Sequence, residues 1–259
     1  MKVVILAGGF GTRISEESHL RPKPMIEIGG LPILWHILKY YSHYGFNEFI
    51  ICCGYKGYVI KEYFADYYLH RSDVTFDFSD NNKMIVHSNI AEPWKVTLVD
   101  TGMNTQTGGR IKRVAPYIGD KRFMMTYGDG VSKIDLKELI KTHEESKKVV
   151  TLSAIQPGGR FGVLDINDES SAIHGFEEKA KESGGWVNGG FMVLESGIFS
   201  YLDGDDCVLE RAPMQRLAAD GQICAYKHVG FWQCMDTQRD KRILEQLWQE
   251  GNAPWNIWS

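Results

Sequence analysis

Three glycines within four positions, Gly8, Gly9 and Gly11, are followed by Thr12 and Arg13, and the group comes directly after the apolar run Val3-Val4-Ile5-Leu6-Ala7. Glycine lets the backbone take a positive φ and lets a ligand approach with no Cβ in the way. Amide N–H groups freed in such a turn suit phosphate oxygens, and an arginine beside them adds a charged fork. A second cation, Lys23, stands between Pro22 and Pro24. The two rings restrict φ on both sides and extend the residues before them, so the ammonium group is presented stiffly. An acid, Asp129, lies between Gly128 and Gly130 after the apolar run Phe123–Thr126. The carboxyl end of a strand is where open α/β sheets place their chemistry. These residue types at these positions predict a nucleotide-phosphate loop with Lys23 brought back as a second cation.

The elements that must hold those groups can be read from apolar periodicity. Val3–Ala7 reads as a buried strand, Ile33, Leu34, Ile37, Leu38 and Tyr41 recur at helical spacing after Pro32, and Phe46–Cys53 reads as a second strand before a helix over Tyr58–Tyr68. Strand and helix alternate, which is the pattern of a parallel, doubly wound sheet. Val74-Thr75-Phe76-Asp77-Phe78 and Met84–Val86 alternate, and Lys95–Val99 adds a short strand, so a β-rich excursion is expected here. Thr107-Gly108-Gly109 opens a short helix through Arg110–Val114, Asp135 is placed to cap a helix through Leu136–Ile140, and Val149–Ile155 is a strand. Phe161–Ile166, Ile173–Glu178 and Val187–Leu194 read as antiparallel strands, followed by a helix over Val208–Ala219, a strand over Ile223–Tyr226 and a closing helix over Thr237–Trp248. The expected fold is an α/β, Rossmann-like doubly wound mixed sheet with a small antiparallel β excursion. One domain over residues 1–259 is expected, since no linker or repeat divides the chain.

Composition narrows the partners. The 259 residues are 43% apolar and 24% charged with a net charge of -4, which favours a soluble globular protein and argues against nucleic acid or an anionic membrane. No apolar run approaches the roughly 18 residues that a membrane span needs. The chain begins Met1-Lys2 and enters a strand directly, so no signal peptide is expected. The five cysteines form an odd set without metal-ligand spacing, and Cys52-Cys53 sits in an apolar run, so buried thiols and a reducing cytoplasm are expected. Trp94, Trp248, Trp255 and Trp258 suit packing or a subunit contact, with the aromatic end Pro254–Trp258 as the expected contact.

Two familiar phosphate motifs are excluded by spacing. The dinucleotide fingerprint needs a glycine where this chain has Ile14, and no Gly-Lys-Ser/Thr triplet exists for a P-loop. Instead, Leu6-Ala7-Gly8-Gly9-Phe10-Gly11-Thr12-Arg13 with Pro22-Lys23-Pro24-Met25 resembles the signature of the sugar-phosphate nucleotidyltransferases, along essentially the whole chain. Within that family, Ile14-Ser15-Glu16-Glu17, Cys52–Gly57, Glu92-Pro93-Trp94, Asp100-Thr101-Gly102, Thr107–Arg110, Tyr127–Gly130 and Gly230–Gln233 are similar to the subgroup that joins CTP to glucose 1-phosphate.

The resemblance implies a nucleotidyl transfer whose nucleophile, a sugar-phosphate oxygen, is already ionised. Positioning and cations then carry the catalysis, and carboxylates serve only to hold Mg²⁺. By resemblance Asp129 and Asp236 hold one Mg²⁺, although Asp236 could instead cap the last helix. The loop Leu6, Ala7, Gly8, Gly9, Gly11 and Thr12 binds the nucleotide, Arg13 holds the β- and γ-phosphates, and Lys23 reaches the α-phosphate. Gly162, Glu178, Lys179 and Asn188 match sugar-phosphate positions, and Ala180 stands where the family usually has proline, which leaves that loop looser. Cytosine offers an N4 donor and O2/N3 acceptors, so carbonyls near Leu6 and Gly8 would accept from N4 while Thr105 and Arg110 donate to O2 or N3. Arg110 could equally cap its helix or pair with an acid. The family further implies that residues 1–130 mainly bind the nucleotide and 131–259 mainly the sugar, and that the protein is a homo-oligomer in the cytoplasm whose product feeds deoxysugar and O-antigen synthesis. Thymidylyl, uridylyl or adenylyl transfer to another sugar phosphate stays open. So does a non-catalytic nucleotide-sugar-binding subunit, although such a relative would be expected to lack one of Arg13, Lys23, Asp129 or Asp236. A nicotinamide-dependent reductase is a third reading, made unlike by the missing glycine.

Overall fold

The computed structural model describes residues 1–156, 163–166, 173–177 and 185–258. Its centre is a seven-stranded sheet. In chain order the elements used below are β1 (Lys2–Ala7), α1 (Ile33–His43), β2 (Glu48–Cys53), α2 (Gly57–His70), β3 (Ser72–Asp77), β4 (Lys83–Asn89), β5 (Lys95–Asp100), α3 (Thr107–Arg113), β6 (Phe123–Tyr127), β7 (Gly130–Ser132), α4 (Leu136–Ser146), β8 (Val150–Ile155), β9 (Val163–Ile166), β10 (Ile173–Glu177), β11 (Val187–Leu194), α5 (Ala212–Ala219), β12 (Ile223–Lys227), β13 (Trp232–Cys234) and α6 (Gln238–Gln249). The large sheet runs β12-β8-β11-β6-β1-β2-β5. Its neighbours are parallel except around β11, which lies antiparallel to both β6 and β8. The expected mixed α/β architecture is thus the one observed.

β1 shows why the apolar run had to be central. Successive strand side chains point to opposite faces. Val3, Ile5 and Ala7 enter one core with Ile33, Leu34, Ile37 and Leu38 of α1 and with Leu136, Leu139 and Leu244 of α4 and α6. Val4 and Leu6 enter the other core with Ile111 of α3 and with Met214 and Leu217 of α5. Burial on both faces is what a parallel strand between two helical layers requires, and each such side chain contributes about 1.5–3 kcal/mol. The strand therefore delivers residues 8–11 at a fixed height above the sheet.

Two expectations need correction, the start of one helix and the place of one strand. The helix foreseen over Val208–Ala219 begins only at Ala212, with Pro213 in its first turn, where a missing N–H costs nothing. At the aromatic end 254–258, Trp255 is buried and stacked on Phe231 and Trp248 within the chain, while residues 254 and 256–258 are half-buried. Tyr40 and Tyr41 of α1 are both buried. All five cysteines are free thiols, with Cys52 and Cys53 buried as expected. Among the described residues no helix is long and apolar enough to cross a membrane. The β-rich excursion is only the hairpin β3–β4, paired Val74 to Val86 and Phe76 to Met84, whose Phe76, Phe78, Met84 and Ile85 are exposed; the strand expected at Lys95–Val99 is instead β5, the edge of the large sheet, held parallel to β2.

Candidate active site

The glycine loop lines a cleft of about 340 Å³ together with Lys23 and Pro24, residues 103–107, Arg110, and Tyr127–Asp129. Gly11 has φ +65, the left-handed region where a Cβ is strained. Gly8 is required for a different reason. A Cβ there would lie 2.1 Å from Arg110 Nη1, and one at Gly54 would lie 2.5 Å from the same atom.

Arg110, only 5% exposed, fills that space and ties three strand ends together. Its Nη2 donates to the Gly8 carbonyl at 3.0 Å and to the Met103 carbonyl at 3.3 Å. Its Nη1 donates to Thr101 Oγ1 at 2.7 Å, the Gly102 carbonyl at 2.8 Å and the Cys53 carbonyl at 3.3 Å. Burial pushes the Arg110 pKa down, yet a guanidinium stays charged in proteins. The fork thus binds backbone at the ends of β1, β2 and β5. In this state the Gly8 carbonyl, offered to a base amine on sequence grounds, accepts from Arg110 and from Tyr55 N at 3.1 Å. The Leu6 carbonyl accepts from Gly128 N at 2.9 Å. Thr105 is buried in the same wall, its hydroxyl close beside the Gly102 backbone.

The two acids meet through a short ribbon. β7 and β13 pair antiparallel, Gly130 with Cys234 and Ser132 with Trp232, and Met235 N donates to the Asp129 carbonyl at 2.8 Å. Residues 107 apart in sequence, 129 and 236, are so placed side by side at the end of the ribbon. Asp236 is not the cap of the last helix: Thr237 caps α6, in a capping box with Asp240. Asp240 Oδ2 accepts from Asp236 N at 3.1 Å as well as from Thr237 N and Thr237 Oγ1 at 2.8 Å each. Asp240 Oδ1 accepts from Gln233 Nε2 at 3.1 Å. The capping work falls on residues 237 and 240, which leaves the Asp236 carboxylate to the cleft.

Lys23 comes up beneath both acids. It opens a single tight turn, Lys23–Met25, behind Pro22 at φ -65, and is 8% exposed. Its Nζ lies 2.5 Å from Asp129 Oδ2 and 2.5 Å from Asp236 Oδ1. Arg13 Nη1 lies 2.5 Å from Asp236 Oδ2, and Cys234 Sγ is 3.5 Å from that oxygen. Burial disfavours the Lys23 ammonium, but Asp129 and Asp236 outweigh it and hold its pKa above the ordinary value. Burial also raises the Asp236 carboxyl, and Lys23 and then Arg13 outweigh that and hold it below its ordinary value. A raised lysine keeps its stabilisation until pH climbs through its folded pKa, and a depressed carboxylate keeps its own until pH falls through its folded pKa. The cluster is therefore fully formed at neutral pH.

Asn188 Oδ1 accepts from Gly190 N at 2.9 Å, holding a turn in β11, with Gly190 at φ +83 against the Tyr127 ring. Gly162, Glu178 and Lys179 lie outside the described residues. Sequence reasoning missed Glu210, which accepts from Tyr127 Oη and, at 2.6 Å, from Thr107 Oγ1 beneath the cleft. It also missed Asp240, although Thr237-x-x-Asp240 is a capping pattern visible in the sequence.

The donor set fits a hard divalent cation. Two carboxylates already share one positive centre at 2.5 Å, and Mg²⁺ is usually held by one or two carboxylates with water and phosphate oxygens. Among the described residues no group of three or more His, Cys, Asp or Glu forms a metal cluster, so the remaining oxygens would come from substrate and water.

Residues 2–218 match the model of the nucleotidyl transferase family. The chain belongs to that family. This nucleotidyltransferase is 55% identical over 259 residues to the glucose-1-phosphate cytidylyltransferase of Salmonella typhi, with all of both chains covered. It is 42% identical, again over the whole of both chains, to the probable glucose-1-phosphate cytidylyltransferase of Bacillus subtilis. Among solved structures, HddC from Yersinia pseudotuberculosis superposes with a TM-score of 0.74 at 25% identity, covering 95% of this nucleotidyltransferase and 99% of HddC.

Proposed function

We propose that the protein transfers the cytidylyl group of CTP to α-D-glucose 1-phosphate, giving CDP-glucose and pyrophosphate. The observation that carries this reading is the convergence of Arg13, Lys23, Asp129 and Asp236 at the mouth of the glycine-loop cleft, in a chain related over its full length to glucose-1-phosphate cytidylyltransferases. The sugar-phosphate oxygen attacks the α-phosphorus in line with the departing pyrophosphate, and no base is required. The loop from Leu6 to Thr12 supplies backbone N–H groups to the triphosphate. Arg13, at the open edge of the cleft, stabilises the charge that grows on pyrophosphate, and Lys23 meets the α-phosphate. Asp129 and Asp236 would hold Mg²⁺, which when bound supplies charge neutralisation between the two phosphates.

Thr105 and the Arg110 wall border the base, with the Arg110 fork fixing where the Gly8 and Met103 backbone stands against it. Asn188, with Gly162, Glu178 and Lys179, is assigned to the sugar phosphate. Residues 1–130 serve mainly the nucleotide and 131–259 mainly the sugar. The enzyme is placed in the cytoplasm, supplying deoxysugar and O-antigen synthesis, and acts as a homo-oligomer. The exposed apolar residues of the hairpin β3–β4 support the last point, since a two-stranded hairpin is marginal alone. The test is direct: protein, CTP, glucose 1-phosphate and Mg²⁺ are incubated and the products separated by ion-exchange chromatography. CDP-glucose forming in step with pyrophosphate is expected, and its absence would sink the proposal.

A further inference from the structure

Lys23 sits where a divalent ion would sit. One ammonium nitrogen bonds both carboxylates at 2.5 Å, is nearly excluded from solvent, and rises from a backbone stiffened by Pro22 and Pro24. Arg13 takes the remaining oxygen of Asp236. Both acids are thus neutralised by the chain itself before any ligand is present. A divalent metal that joined them while both cations stayed would set four positive charges against two carboxylates in a half-buried site, with no added anion to offset the excess. We infer that Lys23 is a built-in counter-ion that keeps the metal out of the nucleotide-free site and gives up its place only when phosphate oxygens offer it another partner.

Lys23 also lines the cleft beneath the glycine loop, so the same ammonium can turn from the acids to a triphosphate without leaving the site. Arg13, with 70% of its side chain exposed, can follow. Nucleotide then frees the carboxylates as it recruits the cations, and metal fills the vacated position. The two ligands bind as a coupled pair, and the coupling is reciprocal by thermodynamic necessity. This inference rests on the proposed metal role of Asp129 and Asp236.

The test reads metal binding, not turnover. Mn²⁺ is titrated by electron paramagnetic resonance into the whole protein, with and without CTP and with no sugar phosphate. The proteins are wild type, Lys23→Met, Lys23→Gln, Asp129→Asn, Asp236→Asn and Lys23→Met/Asp236→Asn. Wild type should bind Mn²⁺ at least tenfold more tightly with CTP than without, beyond what CTP alone binds. Lys23→Met should bind Mn²⁺ at least tenfold more tightly than wild type in the absence of nucleotide, and the double variant should lose that gain. Lys23→Gln, which keeps a donor between the acids, guards against a variant that fails to fold. If wild type shows no coupling, or if the Lys23 variants bind bare Mn²⁺ no better than wild type, the counter-ion role is overturned. If the CTP-dependent Mn²⁺ of wild type survives unchanged in both Asp129→Asn and Asp236→Asn, the metal assignment itself falls instead.

Discussion

Replacing Arg110 with methionine keeps an unbranched stem, two atoms shorter than the arginine, and removes every donor. The Cys53 carbonyl would still accept from Thr101 N at 2.9 Å and Thr101 Oγ1 at 2.7 Å, and the Gly8 carbonyl from Tyr55 N at 3.1 Å. The Gly102 and Met103 carbonyls would lose the bonds that Arg110 gives them. A buried carbonyl left without its partner costs about 1–3 kcal/mol, and Met103 lies near enough to solvent for water to replace part of that. The expected loss is about 2–4 kcal/mol, or a fall in Tm of roughly 5–15 °C for a chain of this size. KM for CTP should rise about tenfold, because the ends of β1 and β5 no longer hold a common position.

Gly8→Ala should reproduce the effect, since its Cβ would stand 2.1 Å from Arg110 Nη1 and force the guanidinium out. The double variant should then be little worse than the poorer single one, as expected for residues that act through one contact. Differential scanning calorimetry and CTP saturation curves on the four proteins decide the matter. A Tm for Arg110→Met within a degree of wild type, or full additivity of the two losses, would refute the view that Arg110 holds the loop from behind.

Asp129→Asn and Asp236→Asn should each abolish metal-dependent turnover while leaving the circular dichroism spectrum unchanged; near-normal rates at saturating Mg²⁺ would remove them from the metal site. Asp240→Ala should lower stability by about 1 kcal/mol through loss of the helix cap and also weaken the apparent affinity for Mg²⁺, because it fixes the Asp236 backbone. A stability loss with unchanged metal dependence would make Asp240 a cap and nothing more. His36 is fully buried, and burial pushes its pKa from 6.5 to about 4. Below pH 6.5 the unfolded chain takes a proton that the folded chain refuses, so stability should fall by about 3 kcal/mol between pH 6.5 and 4 through this group. Urea denaturation across that range should show a shallower pH dependence in His36→Gln, which keeps a donor for the Ile28 carbonyl; an unchanged slope would count against it.

Much of the site could be read from sequence because its parts carry local signals. The glycine loop follows an apolar run that only a buried strand explains, and Lys23 between two prolines is legible without any partner. The ribbon that joins Asp129 to Asp236 was not legible. β7 and β13 are three residues each, too short for any period, and their pairing spans roughly a hundred residues of chain. Arg110 shows the same limit: helical spacing places it on α3, but the carbonyls it binds lie at or just beyond the ends of three different strands. The partners of Lys23 were also out of reach. A sequence displays a cation and two acids, and which anion the cation meets depends on whether phosphate is there to compete.

Nucleotide preference decides whether the protein transfers from CTP to glucose 1-phosphate. Pyrophosphate release is measured with glucose 1-phosphate and Mg²⁺ against CTP, UTP, dTTP, ATP and GTP in turn, and kcat/KM is compared. CTP should exceed each of the others by at least tenfold. An equal or greater value for UTP or dTTP would contradict the account.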